Sequence, residues 1–119
     1  MLRIYYKATC STCRTTLGLI QDETDEDPEI IEYMKDTPTK QEIKEILSLL
    51  GIKAAELVRK KEPLYLEKYA GKKITETQWI KILSENPELI ERPIVVVDGK
   101  AIIARPPEMI LQLLGKKKK

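Results

Sequence analysis

Lys7-Ala8-Thr9-Cys10-Ser11-Thr12-Cys13-Arg14 holds both cysteines of the chain in a C-x-x-C spacing. Before it, Leu2 to Tyr6 is a short, mostly apolar run rich in β-formers and reads as an interior strand. After it, Thr15 to about Gln21 carries Leu17 and Ile20 at helical spacing, so a helix is expected there with its N-terminus at the cysteines. A cysteine pair at a strand-to-helix junction sets its first sulfur at the helix N-terminus, where the macrodipole and free backbone N–H groups favour thiolate over thiol. That environment suits a nucleophile. The competing reading is a disulfide staple or half of a zinc site, but zinc needs further ligands, and the chain has no His and no second cysteine pair.

Outward from this loop, an acidic stretch, Asp22 to Glu29, is interrupted by Pro28, and Glu29 to Tyr33 reads as a second strand. A strand–helix–strand unit of this length implies a right-handed crossover and a parallel pair. Thr39-Lys40-Gln41-Glu42 is a capping box, followed by Ile43, Ile46, Leu47 and Leu50 on one helical face and closed by Gly51. A shorter apolar segment covers Ala54 to Val58, and Pro63 opens another expected helix through Tyr69. Thr75-Glu76-Thr77-Gln78 is a second capping box, ahead of Trp79, Ile80, Ile82 and Leu83, with Asn86-Pro87 as the stop. Pro93 to Val97 and Lys100 to Ala104 then flank Asp98-Gly99, a two-residue hairpin signal. Arg105-Pro106-Pro107 starts a last helix, with Met109, Ile110, Leu113 and Leu114 as its apolar face and Gly115 its end.

At 119 residues the chain is long enough for one domain with a real core. The reading is a single domain over 1–119, with a helical insertion at about 39–90 and a disordered tail at 115–119. Composition, 42% hydrophobic and 34% charged, is that of an ordinary globular protein, although Phe is absent. No apolar run reaches the roughly 18 residues of a membrane helix, and no signal peptide is read at the N-terminus, so a cytoplasmic location and no membrane partner are expected. In that compartment a dithiol stays largely reduced, which favours a redox or nucleophilic role. Net charge is only +2, and the Lys116–Lys119 tail has no aromatic or arginine interleaved, so no nucleic-acid partner is expected. Of 21 basic residues only five are Arg: Arg3, Arg14, Arg59, Arg92 and Arg105. Against a lysine background, a planar five-donor fork points to an oxyanion.

A C-x-x-C at a helix start, an Arg-Pro immediately before a strand, and a hairpin followed by a helix together resemble a thioredoxin-like (glutaredoxin-like) fold. The resemblance implies an α/β protein with a mixed four-stranded sheet and a helical insertion between its βαβ and ββα halves. It also makes Pro93 the candidate for a cis bond facing the active-site cysteine. More narrowly, Cys10 with Arg14, Leu57-Val58-Arg59-Lys60, Glu91-Arg92-Pro93-Ile94-Val95-Val96 and Ala104-Arg105-Pro106-Pro107-Glu108 fall in order and at suitable spacing. Over the whole chain they are similar to the glutaredoxin-coupled arsenate reductases. That family's single nucleophilic cysteine and three arginines carry over onto Cys10, Arg59, Arg92 and Arg105, with Arg14 and Pro93 in supporting positions.

The resemblance implies an arsenate reductase needing no metal and no bound organic cofactor. Cys10 would attack arsenate, and glutathione as co-substrate would reduce the adduct to arsenite. Glutaredoxin or thioredoxin would then regenerate the thiol, and the enzyme would act as a monomer. Two departures stand out: Cys13 occupies a position where many members carry a small hydroxyl residue, which makes it a possible resolving cysteine. Tyr6 stands where members often carry a His. The same C-x-x-C is also similar to that of the Spx-type regulators, which bind RNA polymerase, and a general thiol-disulfide oxidoreductase is a third reading. Arg105-Pro106-Pro107-Glu108 favours the reductase.

Overall fold

The computed structural model describes residues 2–114, so the expected tail at 115–119 and the helix end at Gly115 lie outside the described residues. Two compact units emerge. One takes the chain up to Tyr33 and from Arg92 onward; the other is Met34–Glu91, and the helical stretch at about 39–90 falls within it.

The first unit is built on four strands, β1 (Leu2–Tyr6), β2 (Glu29–Glu32), β3 (Ile94–Val97) and β4 (Lys100–Ile103), in the order β2-β1-β3-β4. β1 and β2 run parallel, with Ile4 opposite Ile30. β1 and β3 are antiparallel, with Tyr5 opposite Ile94, as are β3 and β4, with Ile94 opposite Ile103. The sheet is therefore mixed. All four residues of β3 are buried, as expected of an inner strand. The β3–β4 turn places Asp98 at φ 47° and Gly99 at φ 83°, the pair of positive values that a two-residue hairpin of this twist requires.

Helix α1 (Ser11–Glu23) joins β1 to β2, and a 3₁₀ turn over Pro107–Met109 leads into the short α5 (Ile110–Leu114). Leu2 and Ile4 of β1, Val95 and Val97 of β3, Ile20 of α1 and Ile110 and Leu114 of α5 form one buried core. The alternation along both strands puts these residues on one face, against which the two helices pack.

Three boundaries differ from the sequence expectation. α1 begins at Ser11, at the cysteines as expected with Cys10 as its cap, but runs past the expected end near Gln21 through Asp22 and Glu23. β2 ends at Glu32, leaving Tyr33 fully buried just beyond it. The last helix starts only at Ile110, because the chain first makes a separate 3₁₀ turn over Pro107–Met109, and Met109 is exposed rather than part of an apolar face.

The second unit contains α2 (Lys40–Leu50), a 3₁₀ turn (Ala54–Leu57), α3 (Pro63–Lys68), α4 (Glu76–Glu85) and a final 3₁₀ turn (Pro87–Leu89). Both capping boxes form. The Glu42 amide donates to Thr39 Oγ1 at 3.1 Å and the Thr39 amide to Glu42 Oε1 at 2.9 Å. Thr75 and Gln78 repeat the exchange. Gly51 closes α2 at φ 71°, the left-handed conformation that only glycine takes freely. α2 and α4 pack against each other, and Ile43, Ile46 and Leu47 of the one and Ile80 and Leu83 of the other are buried. Among the described residues no helix is long and apolar enough to cross a membrane.

Candidate active site

The sheet topology decides which segments meet. Because β3 is antiparallel to both β1 and β4, the end of β1, the start of β3 and the end of β4 lie at one edge of the sheet. Those three points carry the cysteine loop, Arg92-Pro93 and Ala104-Arg105. The Ala104 amide donates to the Pro93 carbonyl at 2.9 Å, tying the last two together. Arg92-Pro93 is cis, as the resemblance implies; Arg105-Pro106 is also cis, which the sequence reading does not anticipate.

The loop after β1 tightens when the Cys10 amide donates to the Lys7 carbonyl at 2.9 Å. Arg14 donates from Nη1 to the Ala8 carbonyl at 2.8 Å, so one side chain from the first turn of α1 pins the loop that precedes it. Cys10 is the N-cap residue, at φ −90° and ψ 117°, and its Sγ accepts from the Cys13 amide at 3.4 Å. A sulfur here does the work usually given to a Ser or Asp oxygen, satisfying an amide that the helix leaves without a partner. Cys10 is partly exposed and Cys13 fully buried; both are free thiols.

Burial alone pushes the Cys10 thiol up, but the thiol and amide of Cys13 and the guanidinium of Arg92 outweigh it and hold Cys10 below the ordinary 9.0 of a thiol. Cys13 moves the other way. Burial, reinforced by its hydrogen bond to Cys10, pushes it up to about 12. The two sulfurs, identical in sequence terms, are thus made unlike by position: one shifted toward thiolate, the other held as thiol.

Arg92 is 7% exposed, an uncommon degree of burial for an arginine. Its Nε and Nη1 are buried with no hydrogen-bond partner among the described residues. Burial would lower its pKa, but neighbouring Tyr33 and Cys10 raise it on balance, so it is a firmly charged group. Arg105 is exposed; it donates from Nε to the Arg92 carbonyl at 2.7 Å and approaches Cys10 Sγ with Nη2 at 3.8 Å. Cys10, Cys13, Arg92 and Arg105 therefore form one cluster, with Arg14 and Pro93 fixing the loops that present it.

Arg59 belongs to the second unit. There its guanidinium is engaged by Glu62 Oε2 at 3.3 Å and Glu91 Oε1 at 3.6 Å, while its amide donates to the Leu89 carbonyl at 2.7 Å. Sequence reasoning overlooks Tyr33, because a tyrosine at the end of an edge strand carries no signal that it will be fully buried beside Arg92. Among the described residues no group of three or more His, Cys, Asp or Glu could hold a metal ion.

A thiolate at a helix N-terminus with two guanidiniums beside it can bind a tetrahedral oxyanion and attack it. Comparison with known proteins places the chain in a family. The ArsC family matches over residues 5–113. The chain is 40% identical to the uncharacterized protein YfgD of Escherichia coli (strain K12), over 96% of this chain and 97% of that one. It is 35% identical to an arsenate reductase of the same organism, over 95% of this chain and 80% of that one. Among solved structures it is similar to an arsenate reductase from Vibrio cholerae, with a TM-score of 0.89 and 36% identity over 95% of this chain and 97% of that one.

Proposed function

The chain belongs to the ArsC family and has its thioredoxin-like fold, and from that premise we propose that it reduces arsenate, or a closely similar oxyanion, with Cys10 as the nucleophile. One observation carries the reading: Arg92, buried and charged, has two N–H donors without partners next to a cysteine shifted toward thiolate. Leaving such donors unmet costs about 1–3 kcal/mol apiece, so the arrangement is the strained half of a complex whose other half is an anion.

The chemistry follows from the residues. Arg92 receives anion oxygens in a site already desolvated, where charge-assisted hydrogen bonds are strong. Arg105, anchored through Nε to the Arg92 carbonyl, keeps Nη2 available at the solvent side of the sulfur. The Cys10 thiolate then attacks arsenic. A sulfur–arsenic bond forms and one oxygen leaves as water, with protons taken from solvent.

A second thiol must next attack the Cys10 sulfur, releasing arsenite. On the family resemblance the reducing equivalents come from glutathione, a co-substrate rather than a bound cofactor, with glutaredoxin or thioredoxin returning the cysteine to its thiol. The resemblance also assigns Arg59 to the clamp, which Arg59→Ala tests independently of Arg92. A reducing compartment such as the cytoplasm, where the protein works as a monomer, suits this cycle.

The test is a reconstituted assay with arsenate, glutathione and glutaredoxin. Arsenite formation by the wild type and none by Cys10→Ser is the expected result. No arsenite from the wild type, or full activity in Cys10→Ser, removes the reading.

A further inference from the structure

The reduction of an arsenic adduct needs a second thiol, and Cys13 is already against the sulfur that must be attacked. Its amide touches Cys10 Sγ at 3.4 Å, and its own side chain is fully buried. Residues three apart in a helical first turn have Cα atoms about 5 Å apart, inside the span of roughly 4.4–6.8 Å that a disulfide bridges without backbone movement. Arg105, by contrast, is exposed and reaches the same sulfur at 3.8 Å. Cys10 Sγ therefore has both the buried Cys13 and the exposed Arg105 guanidinium within reach.

Resting on the arsenate-reductase reading above, we propose that Cys10 and Cys13 act as an internal two-electron couple: Cys13 resolves the Cys10–arsenic adduct and closes a Cys10–Cys13 disulfide, which an external dithiol then opens. In the first step the Cys10 thiolate bonds to arsenic and water departs. In the second, Cys13 sulfur attacks Cys10 Sγ. The sulfur–sulfur bond forms, the sulfur–arsenic bond breaks, and its electron pair stays on arsenic, taking it from the +5 to the +3 state. The Cys13 proton leaves with arsenite, and two thiols have become one disulfide. The external dithiol is oxidised in turn as it returns the pair to thiols.

Timing is built into the site. While Cys10 is a thiolate, burial and the hydrogen bond to it keep Cys13 protonated and idle. Once Cys10 is bonded to arsenic it no longer carries that negative charge, so the part of the upward push that comes from Cys10 is lifted while burial remains. Burial also hides Cys13 from other thiols and oxidants, so its accessible partner is Cys10.

The experiment is a single turnover by the fully reduced protein, freed of small thiols, with arsenate under anaerobic conditions. Expected are one arsenite per chain, loss of both titratable thiols and a Cys10–Cys13 linked peptide on non-reducing mass spectrometry. Cys13→Ser should give only background arsenite in this format, and added glutathione should restore its formation. Wild type that makes no arsenite without an added thiol, yet does so with glutathione and glutaredoxin, overturns the internal couple and leaves the reductase reading standing. Arsenite from Cys13→Ser without added thiol also overturns it. No arsenite under any condition removes both. The wild-type thiol count decides the matter even if Cys13→Ser folds poorly.

Discussion

Replacing Arg92 by Met separates anion binding from everything else the site does. The substitution keeps an unbranched, space-filling side chain in the 7%-exposed position while removing the charge and the Nε and Nη1 donors that have no protein partner. Hydrogen bonds to a charged group are worth about 1.5–3 kcal/mol each, so the two donors together account for about 3–6 kcal/mol of anion affinity. At about 1.4 kcal/mol per tenfold, Arg92→Met should raise the dissociation constant by roughly two to four orders of magnitude. Phosphate is the ligand to use, because it mimics arsenate and cannot be reduced, so calorimetry reads binding alone. Arg3→Met is the control. Arg3 makes a partly exposed 3.0 Å pair with Glu29, a type worth about 0.2–1 kcal/mol, and phosphate affinity should not change. Urea unfolding in anion-free buffer verifies that Arg92→Met is folded. A folded Arg92→Met with wild-type phosphate affinity would refute the anion-site reasoning, since the unmet donors would then have no ligand.

Other expectations follow from the same contacts. Arg105→Lys keeps the charge but cannot both hold the Arg92 carbonyl at 2.7 Å and reach Cys10 Sγ, so kcat/KM for arsenate should fall by about ten- to a hundredfold, the worth of one charge-assisted bond; unchanged turnover would contradict it. Cys10 is shifted down from 9.0, so its thiolate persists as pH falls below that value, and its alkylation by iodoacetamide should have a midpoint below 9.0. Cys13, held as thiol up to about pH 12, should remain unalkylated in the folded protein across the same range; a Cys10 midpoint at or above 9.0, or comparable labelling of Cys13, counts against the assignment. Thr39→Ala removes one capping interaction of α2 and should lower stability by about 1 kcal/mol in urea unfolding, without altering phosphate affinity.

Local rules acting within a few residues were legible in the sequence. Thr39 with Glu42 and Thr75 with Gln78 announce their helices because a capping box is a contact between neighbours. Asp98-Gly99 announces its turn because few residues accept positive φ in succession. The start of α1 was legible from the cysteine loop, whose position at a strand-to-helix junction sets Cys10 at the helix N-terminus, and not from apolar spacing. Ser11 to Arg14 shows no apolar periodicity, and a cysteine is not among the usual N-cap residues, yet Cys10 Sγ takes that role. The break between Pro107–Met109 and α5 was missed because the apolar spacing of Met109 and Ile110 suggested one continuous helix over a proline pair. At the site, residue types pointed to Cys10, Arg92 and Arg105, but the burial of Arg92 and its neighbour Tyr33 depend on contacts across the sheet that no local pattern encodes. The unlike character of the two cysteines also emerges only from burial.

The central claim is that arsenate is held by the arginines while Cys10 attacks arsenic. A crystal of the reduced protein exposed to arsenate, with anomalous data collected at the arsenic edge, tests this most directly. The account predicts an arsenic peak at Cys10 Sγ, with anion oxygens on Nε and Nη1 of Arg92. Arsenic bound elsewhere, or an empty Arg92 site under saturating arsenate, would contradict it.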